Sequence, residues 1–513
     1  MATSPVTLGR PDGKGLATGT LGLWGSTVIG LASTAPVYSL VATLGFVVLA
    51  VGAQAPIAFI IAFVPMLFIA FAYRELNNAI PDCGTTFTWS TKAFGPWIGW
   101  LGGWGVAVAG TIVLANLAQI AGIYFWSLFG DGSLADNVLL VTATGVFFIA
   151  AMTWVSWRGV EIGERIQNVL LGIQYLVLAI FIVAALWQFF TGTAPNPTPL
   201  DLSWFNPLGF TDFSAFTEAI LLAIFIYWGW DTCLALNEET KDPKRIPGRA
   251  ALLTTLILVI TYVGVTVAAM MYAGLGTTGV GLGNEANADD IFLALKDDLL
   301  GPLAPVLLVS VLISAVSSTQ TTILPTARGT LAMGVYKALP QRFRTVHPVY
   351  KTPSFSTIVM GIVASLFYIG MTLVSDNILQ DSILSLGLAI AFYYALTGYA
   401  CVWYFRRDLF TSGRNLLYRG ILPLLGALML TYAFIQSAID MYDVDYGYTV
   451  LFGIGGTFVV GVGSLAIGVV LMFLWYAFPG SKPFFRGERL NRDTPVLVPD
   501  EGAYQRSVDG GLS

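Results

Sequence analysis

Apolar runs of about 20 residues recur along the chain, separated by shorter polar stretches. Each is long enough to cross roughly 30 Å of hydrocarbon as a helix. The pattern predicts twelve spans, at 18–45, 54–77, 97–129, 137–157, 165–191, 213–238, 248–274, 302–336, 354–374, 378–404, 420–440 and 448–478. Beyond Pro479 the chain turns polar and predicts no further span. The polar stretch from Met1 to Gly19 and the long apolar run after it do not have the proportions of a cleavable signal peptide.

Two spans are interrupted. The first contains Gly25-Ser-Thr-Val-Ile-Gly30-Leu-Ala-Ser-Thr-Ala-Pro36. Pro36 removes a backbone donor, and Ser33 and Thr34 offer hydroxyls to the carbonyls it frees. The sixth contains Tyr227-Trp-Gly-Trp-Asp231. The breaks lie five spans apart, so each opens a five-helix half, as in a transporter built from inverted repeats. An ordinary proline kink is the plainer account of Pro36, and back-bonding within the helix is the plainer account of Ser33 and Thr34.

Composition agrees with the pattern. The chain of 513 residues is 56% hydrophobic and 11% charged, against about 25% charged in soluble domains. Charge also sets an orientation. With a cytoplasmic N-terminus, every Lys and Arg except Lys296 falls on the inner side or at an inward helix end. The organisation expected is a cytoplasmic tail (1–17), two five-helix repeats (18–191 and 213–404), two added helices (420–478) and a cytoplasmic C-terminal tail (479–513). Cys83, Cys233 and Cys401 lie in spans or on the inner side, which argues against a disulfide framework. The single histidine, His347, leaves no His-based metal site.

Asp231 is the residue that least fits its surroundings. A carboxylate inside a membrane span costs roughly 2.5–3.5 kcal/mol on insertion scales, so it marks a functional or paired position. Three readings stay open: it carries a coupling proton, it binds a cationic group of the substrate, or it is a fixed acceptor for unwound backbone.

Motifs in order along the chain carry a resemblance. Tyr73-Arg-Glu-Leu through Pro81-Asp-Cys-Gly84-Thr85 to Pro96, then Gly99-Trp-Leu-Gly-Gly-Trp104, follow span two. Gly229-Trp-Asp231 leads to Asn237-Glu-Glu-Thr-Lys241-Asp-Pro-Lys-Arg-Ile-Pro247. Arg328-Gly-Thr-Leu-Ala-Met333 leads to Ala338-Leu-Pro340, His347-Pro and Thr352-Pro353. Together they resemble the amino acid–polyamine–organocation superfamily of permeases, with Thr85 standing where that pattern has its second glycine. The resemblance implies an all-α membrane protein with a LeuT-like fold.

In that fold the breaks in spans one and six face each other. Half-helix N-termini suit a substrate carboxylate, and freed carbonyls suit an ammonium. The resemblance implies a substrate site at Gly30, Ser33, Thr34 and Ala35, with Phe225 as an aromatic lid beside Tyr227 and Gly229; Trp228 is the alternative lid, and core or lipid-facing packing is the plainer account of Phe225. Asn116 and Gln119, and Tyr393 and Tyr394, are pocket candidates that packing explains as readily. Glu218, near the outer end of span six, is placed to meet a cationic substrate. Some proton-coupled relatives carry a lysine in span five, and alignment through Asn168 puts Gln174 there. That departure shifts the proton-coupling role onto Asp231. The alternative is a sodium site using Ser317 and Ser318 of span eight with carbonyls of span one; close helix packing explains those serines equally. Arg328 with Glu238 or Glu239 is a candidate ion pair on the inner side that opens during alternating access; a solvated charge cluster explains these residues equally.

The function expected is secondary active amino acid transport by alternating access, proton-coupled, without a cofactor. A polyamine or small-amine permease, or an exchanger, shares the fold, and a non-transporting receptor is the remote alternative. The partners expected are a small amino acid or amine and the lipid bilayer, with no nucleic acid. No catalytic residues are expected, and the pattern is silent on oligomeric state.

Overall fold

The computed structural model describes residues 13–129, 133–210, 213–288, 290–374 and 378–497. The first predicted span is two helices, α1 (Leu23–Thr34) and α2 (Pro36–Val51), followed by α3 (Ala55–Ala79), α4 (Thr86–Phe94), α5 (Pro96–Trp126), α6 (Val138–Arg158) and α7 (Val160–Thr191). The sixth is α8 (Phe213–Phe225) and a short α9 (Thr232–Ala235). Then come α10 (Ile246–Ala273), α11 (Ile291–Leu300), α12 (Ala304–Val335), α13 (Ser354–Val374) and α14 (Ile378–Tyr404). A short α15 (Gly413–Asn415) runs through a π-helical turn into α16 (Leu422–Asp440), and α17 (Gly456–Tyr476) and α18 (Lys482–Phe485) complete the series. A two-residue antiparallel pair, Val450–Leu451 with Ile454–Gly455, precedes α17.

Ten runs of the described residues are long and apolar enough to cross a bilayer. This measure differs from the expected twelve for a physical reason. The first run, Leu23–Ala79, is 57 residues long and contains two predicted spans, and the broken sixth leaves no single helix long enough to count. Outward side chains such as Leu176, Val183, Trp187 and Phe190 are exposed and apolar, as lipid-facing positions must be. Inside, small residues bring backbones together: a Cβ added at Gly122 or Gly145 would meet the backbone of the neighbouring helix at 2.5 or 2.6 Å.

Besides the short α15 and α18, two longer helices among the described residues lie outside the expected spans. The loop after span two folds into α4, beside the face that carries both tails. The acidic loop after α10 contains α11, whose Phe292 stacks on Phe181 of α7 at 4.9 Å. Thr85, the residue at the glycine position of the motif, adopts φ 41° just before α4. This is the region glycine occupies without strain.

Candidate functional site

The breaks follow from local chemistry. Ala35 has φ 47° and ψ 64°, so α1 ends in a left-handed turn, and Pro36 opens α2 where its missing N–H costs least. Thr34 Oγ1 donates to the Leu31 carbonyl at 2.7 Å, and Ser39 Oγ donates to the Thr34 carbonyl at 2.6 Å. In span six, α8 stops at Phe225, and Gly229 takes φ 110° in the unwound stretch.

These two breaks press on each other. A Cβ at Gly229 would sit 2.8 Å from the Ser33 carbonyl oxygen, so only glycine allows this approach. Ser33 Oγ and Thr232 Oγ1 are 2.8 Å apart, and Ser318 Oγ donates to the Ser33 carbonyl at 2.9 Å. Ser33, Gly229, Thr232 and Ser318 thus form one polar junction of α1, α9, α12 and the unwound stretch. Gly229→Ala adds both a clash with backbone and a positive φ, which alone costs about 1–2 kcal/mol. It is expected to lower transport at least tenfold, checked by uptake in proteoliposomes.

Asp231 is buried, and its carboxylate accepts from Tyr394 Oη at 2.9 Å and Tyr393 Oη at 3.2 Å. Trp228 Nε1 donates in turn to Tyr393 Oη. Among the described residues, no ion pair reaches Asp231. The two tyrosines, which the sequence offered as pocket lining, are therefore the hydroxyl donors that hold this carboxylate.

The remaining candidates separate. Phe225, half-buried at the end of α8, meets the edge of Tyr38 at a centroid distance of 6.4 Å. The buried Tyr38 hydroxyl has no hydrogen-bond partner among the described residues, a polar atom beside the lid position that sequence reasoning missed. Tyr227 points away toward α3, donating to the Phe59 carbonyl at 3.0 Å. Gly30 lies within α1, where a Cβ would meet Thr254 Oγ1 of α10 at 2.8 Å. Asn116 donates to Ser382 Oγ at 3.0 Å. The side chain of Glu218 lies outside those described.

At the span-five junction the structure gives prominence to a different glutamine. Gln167 Nε2 donates to the Ser317 carbonyl at 3.0 Å and to Gln320 Oε1 at 2.6 Å, and Ser317 Oγ donates back to Gln167 Oε1. Both serine hydroxyls proposed as ion ligands are thus engaged within the protein, Ser317 with Gln167 and Ser318 with Ser33. Gln174 is buried with neither amide atom paired among the described residues.

On the tail-bearing face a charge cluster closes the bundle. Lys14 Nζ lies 2.7 Å from Asp82 Oδ2 and 2.6 Å from Glu238 Oε1, with all three side chains buried. Arg328 is fully buried and grips Glu239 in a fork, Nε to Oε2 at 2.6 Å and Nη2 to Oε1 at 2.9 Å. Asp82, Cys83 and Glu238 bring three ligand-type atoms within 4.8 Å of one another. The chain supplies its own cation there, because Lys14 lies on both carboxylates. Burial alone would raise the Asp82 carboxyl, but Lys14, Thr88 and the Gly84 N–H hold it below the usual carboxylate range. A depressed acid stabilises the fold above its unfolded pKa and loses that contribution as pH falls through the folded value. The Lys14–Asp82 contact is therefore fully present at neutral pH and weakens only below the ordinary carboxylate range.

The sequence model of the amino acid permease family matches residues 21–462, taking in both breaks and the charge cluster apart from Lys14. The chain belongs to this family. An uncharacterized transporter of Mycobacterium tuberculosis is 25% identical over 456 residues, covering 88% of this chain and 90% of that one. A low-affinity putrescine importer of Escherichia coli is 24% identical over 417 residues, covering 80% and 86%. In fold, the chain is similar to MhsT solved in complex with L-phenylalanine, with a TM-score of 0.56 and 17% identity over 83% of this chain and all of that one. The permease has the LeuT-like architecture that the resemblance implied.

Proposed function

We propose that this permease is a secondary active amino acid transporter, driven by protons and working by alternating access, with both tails cytoplasmic. The observation that carries the reading is the junction of the two helix breaks. An α-amino acid bears an ammonium and a carboxylate on one carbon, and facing half-helix ends offer groups complementary to each. The unpartnered Tyr38 hydroxyl and the Phe225 ring supply a polar contact and an apolar cover beside that junction. Support for the proton comes from the side chains. Asp231 is a buried carboxylate held by two tyrosine hydroxyls, with no ion pair among the described residues. The assignment of the tails to the cytoplasm is supported by the placement of Lys and Arg along the chain.

A second reading, a carrier of small amines, is favoured by Asp231 itself, because a carboxylate near the break suits a second ammonium. The putrescine importer among the relatives points the same way.

Uptake of radiolabelled amino acids and amines into proteoliposomes, with imposed proton or sodium gradients, tests both readings. Accumulation driven by an inward proton gradient supports the first. Accumulation that requires sodium, or no uptake of any amino acid, overturns it. Candidates come from a thermal-shift screen, since a ligand at 100 times its Kd stabilises by about 2.7 kcal/mol. With a substrate in hand, Phe225→Ala is expected to raise apparent KM at least tenfold. An unchanged KM and turnover would remove the lid assignment.

A further inference from the structure

The C-terminal segment after α17 is polar by composition, yet it packs closely against the tail-bearing face. Phe484, Phe485 and Leu490 are buried in one apolar cluster with Leu16 of the N-terminal segment and Phe87, Trp100, Met333 and Tyr336. Beyond that anchor the chain crosses α4. Lys92 Nζ donates to three of its carbonyls, those of Asn491 and Arg492 at 3.1 Å and Thr494 at 2.6 Å. An ammonium has three donors, and all three are taken by the tail. The loop that presents these carbonyls is shaped by Asn491, whose Oδ1 accepts from the Asp493 and Thr494 N–H groups at 2.9 Å.

The segment then reaches the charge cluster itself. The Leu497 carbonyl takes the third donor of Lys14 at 3.1 Å, after Asp82 and Glu238 have taken the other two. Leu497 N–H donates to Tyr336 Oη at 3.3 Å, and that hydroxyl donates to Asp82 Oδ2 at 2.8 Å. Arg492 completes the strap by donating to the Tyr404 carbonyl at 2.8 Å, at the end of α14. One stretch of chain therefore ties together α4, the ends of α12 and α14, and the N-terminal segment that leads into α1.

We propose that residues 482–497 form a cytoplasmic latch that holds the inner gate shut and sets the rate of inward opening. For the inner path to open, Lys14 and Glu238, which lead into and out of the broken helices, must part from Asp82. The latch adds to that step the uncapping of two buried ammonium groups, Lys92 and Lys14, which burial makes costly unless they stay hydrogen-bonded. Release of the tail lets water take over at both, so the latch and the gate open together. This rests on the transport reading above for its direction, and the test separates the two.

Cys83 is a built-in reporter. It is buried, its N–H donates to Glu238 Oε1 at 2.9 Å, and it becomes reachable from the inner side only when the cluster parts. In a Cys233→Ser, Cys401→Ala background, maleimide labelling of Cys83 is measured in inside-out vesicles, alongside substrate efflux and melting temperature. Three variants are compared: deletion of residues 481–513, Lys92→Met and Asn491→Ala. The expected result is Cys83 labelling accelerated at least tenfold in the deletion and severalfold in both point variants, with efflux raised in parallel. Lys92→Met and Asn491→Ala keep the buried aromatic anchor, so they decide the matter if the deletion does not fold. Unchanged labelling in the folded variants overturns the latch. Faster labelling without transport of any amino acid or amine keeps the latch and overturns the transport reading.

Discussion

Asp231→Asn is expected to abolish proton-driven accumulation, by at least tenfold at steady state, while substrate exchange across the membrane persists. Asparagine keeps the size of the side chain and one carbonyl acceptor, so Tyr394 still has a partner. What it removes is the negative charge and the capacity to bind and release a proton. A proton carrier needs that capacity once per cycle, whereas exchange of one substrate molecule for another does not. The structural reading of Asp231 predicts a different outcome. If the carboxylate only anchors α14 to the unwound turn through Tyr393 and Tyr394, Asp231→Asn and Tyr394→Phe should both lower the melting temperature and reduce exchange and accumulation alike. Hydrogen bonds to a charged group contribute about 1.5–3 kcal/mol each, so the loss would be easily measured. Uptake with and without a proton gradient from pH 5.5 to 8, paired with melting curves, distinguishes the two. Retained accumulation with its pH dependence intact in Asp231→Asn would end the proton-carrier reading.

The parts of this structure legible in the sequence are those written in local chemistry. Apolar runs announced the helices because each backbone must satisfy itself in hydrocarbon. Pro36 and Gly229 announced the breaks because a missing donor and a missing Cβ act within a few residues. The exact turn was harder to locate. Gly30, which the resemblance put at the site, lies within α1 in close packing against Thr254, and the left-handed residue is Ala35, which carries no glycine signal. The partners of Asp231 were not legible. Tyr393 and Tyr394 stand 162 and 163 residues away, and only the fold brings them to it. Gln167 was passed over for Gln174 because helix alignment gives a register, while contact with Ser317 depends on how α7 rotates against α12. The tails misled most. Lys14 and residues 482–497 look solvated by composition, yet Lys14, Phe484, Phe485 and Leu490 are buried against carboxylates and aromatic rings that are distant in sequence. Arg328 was the contrary case: a cation expected near two adjacent glutamates took Glu239, leaving Glu238 for Lys14.

Arg328→Ala is expected to be the most destabilising single change on the tail-bearing face, at about 3–5 kcal/mol, because it strands a buried carboxylate. Glu239 is as buried as Arg328, and both of its oxygens receive the guanidinium fork. Removing both charges is a different matter. Arg328→Met with Glu239→Met replaces the pair by apolar groups of similar volume, and such exchanges are often neutral or stabilising. The double variant should therefore recover most of the melting temperature lost by the single one. Recovery of stability need not mean recovery of gating. The pair joins α12 to the segment that leaves α9, two elements that the proposed alternating access would part and rejoin, and a fork between opposite charges fixes their register more narrowly than packing does. The double variant is accordingly expected to melt near the parent while labelling faster at Cys83, whose thiol donates to the Arg328 carbonyl at 3.7 Å. Melting curves and labelling rates on the same preparations provide the check. If the double variant melts as low as Arg328→Ala, the cost lies in lost packing around the arginine stem. If it melts near the parent and Cys83 stays as protected as before, the pair has no part in the gate, and closure rests on the Lys14 cluster alone.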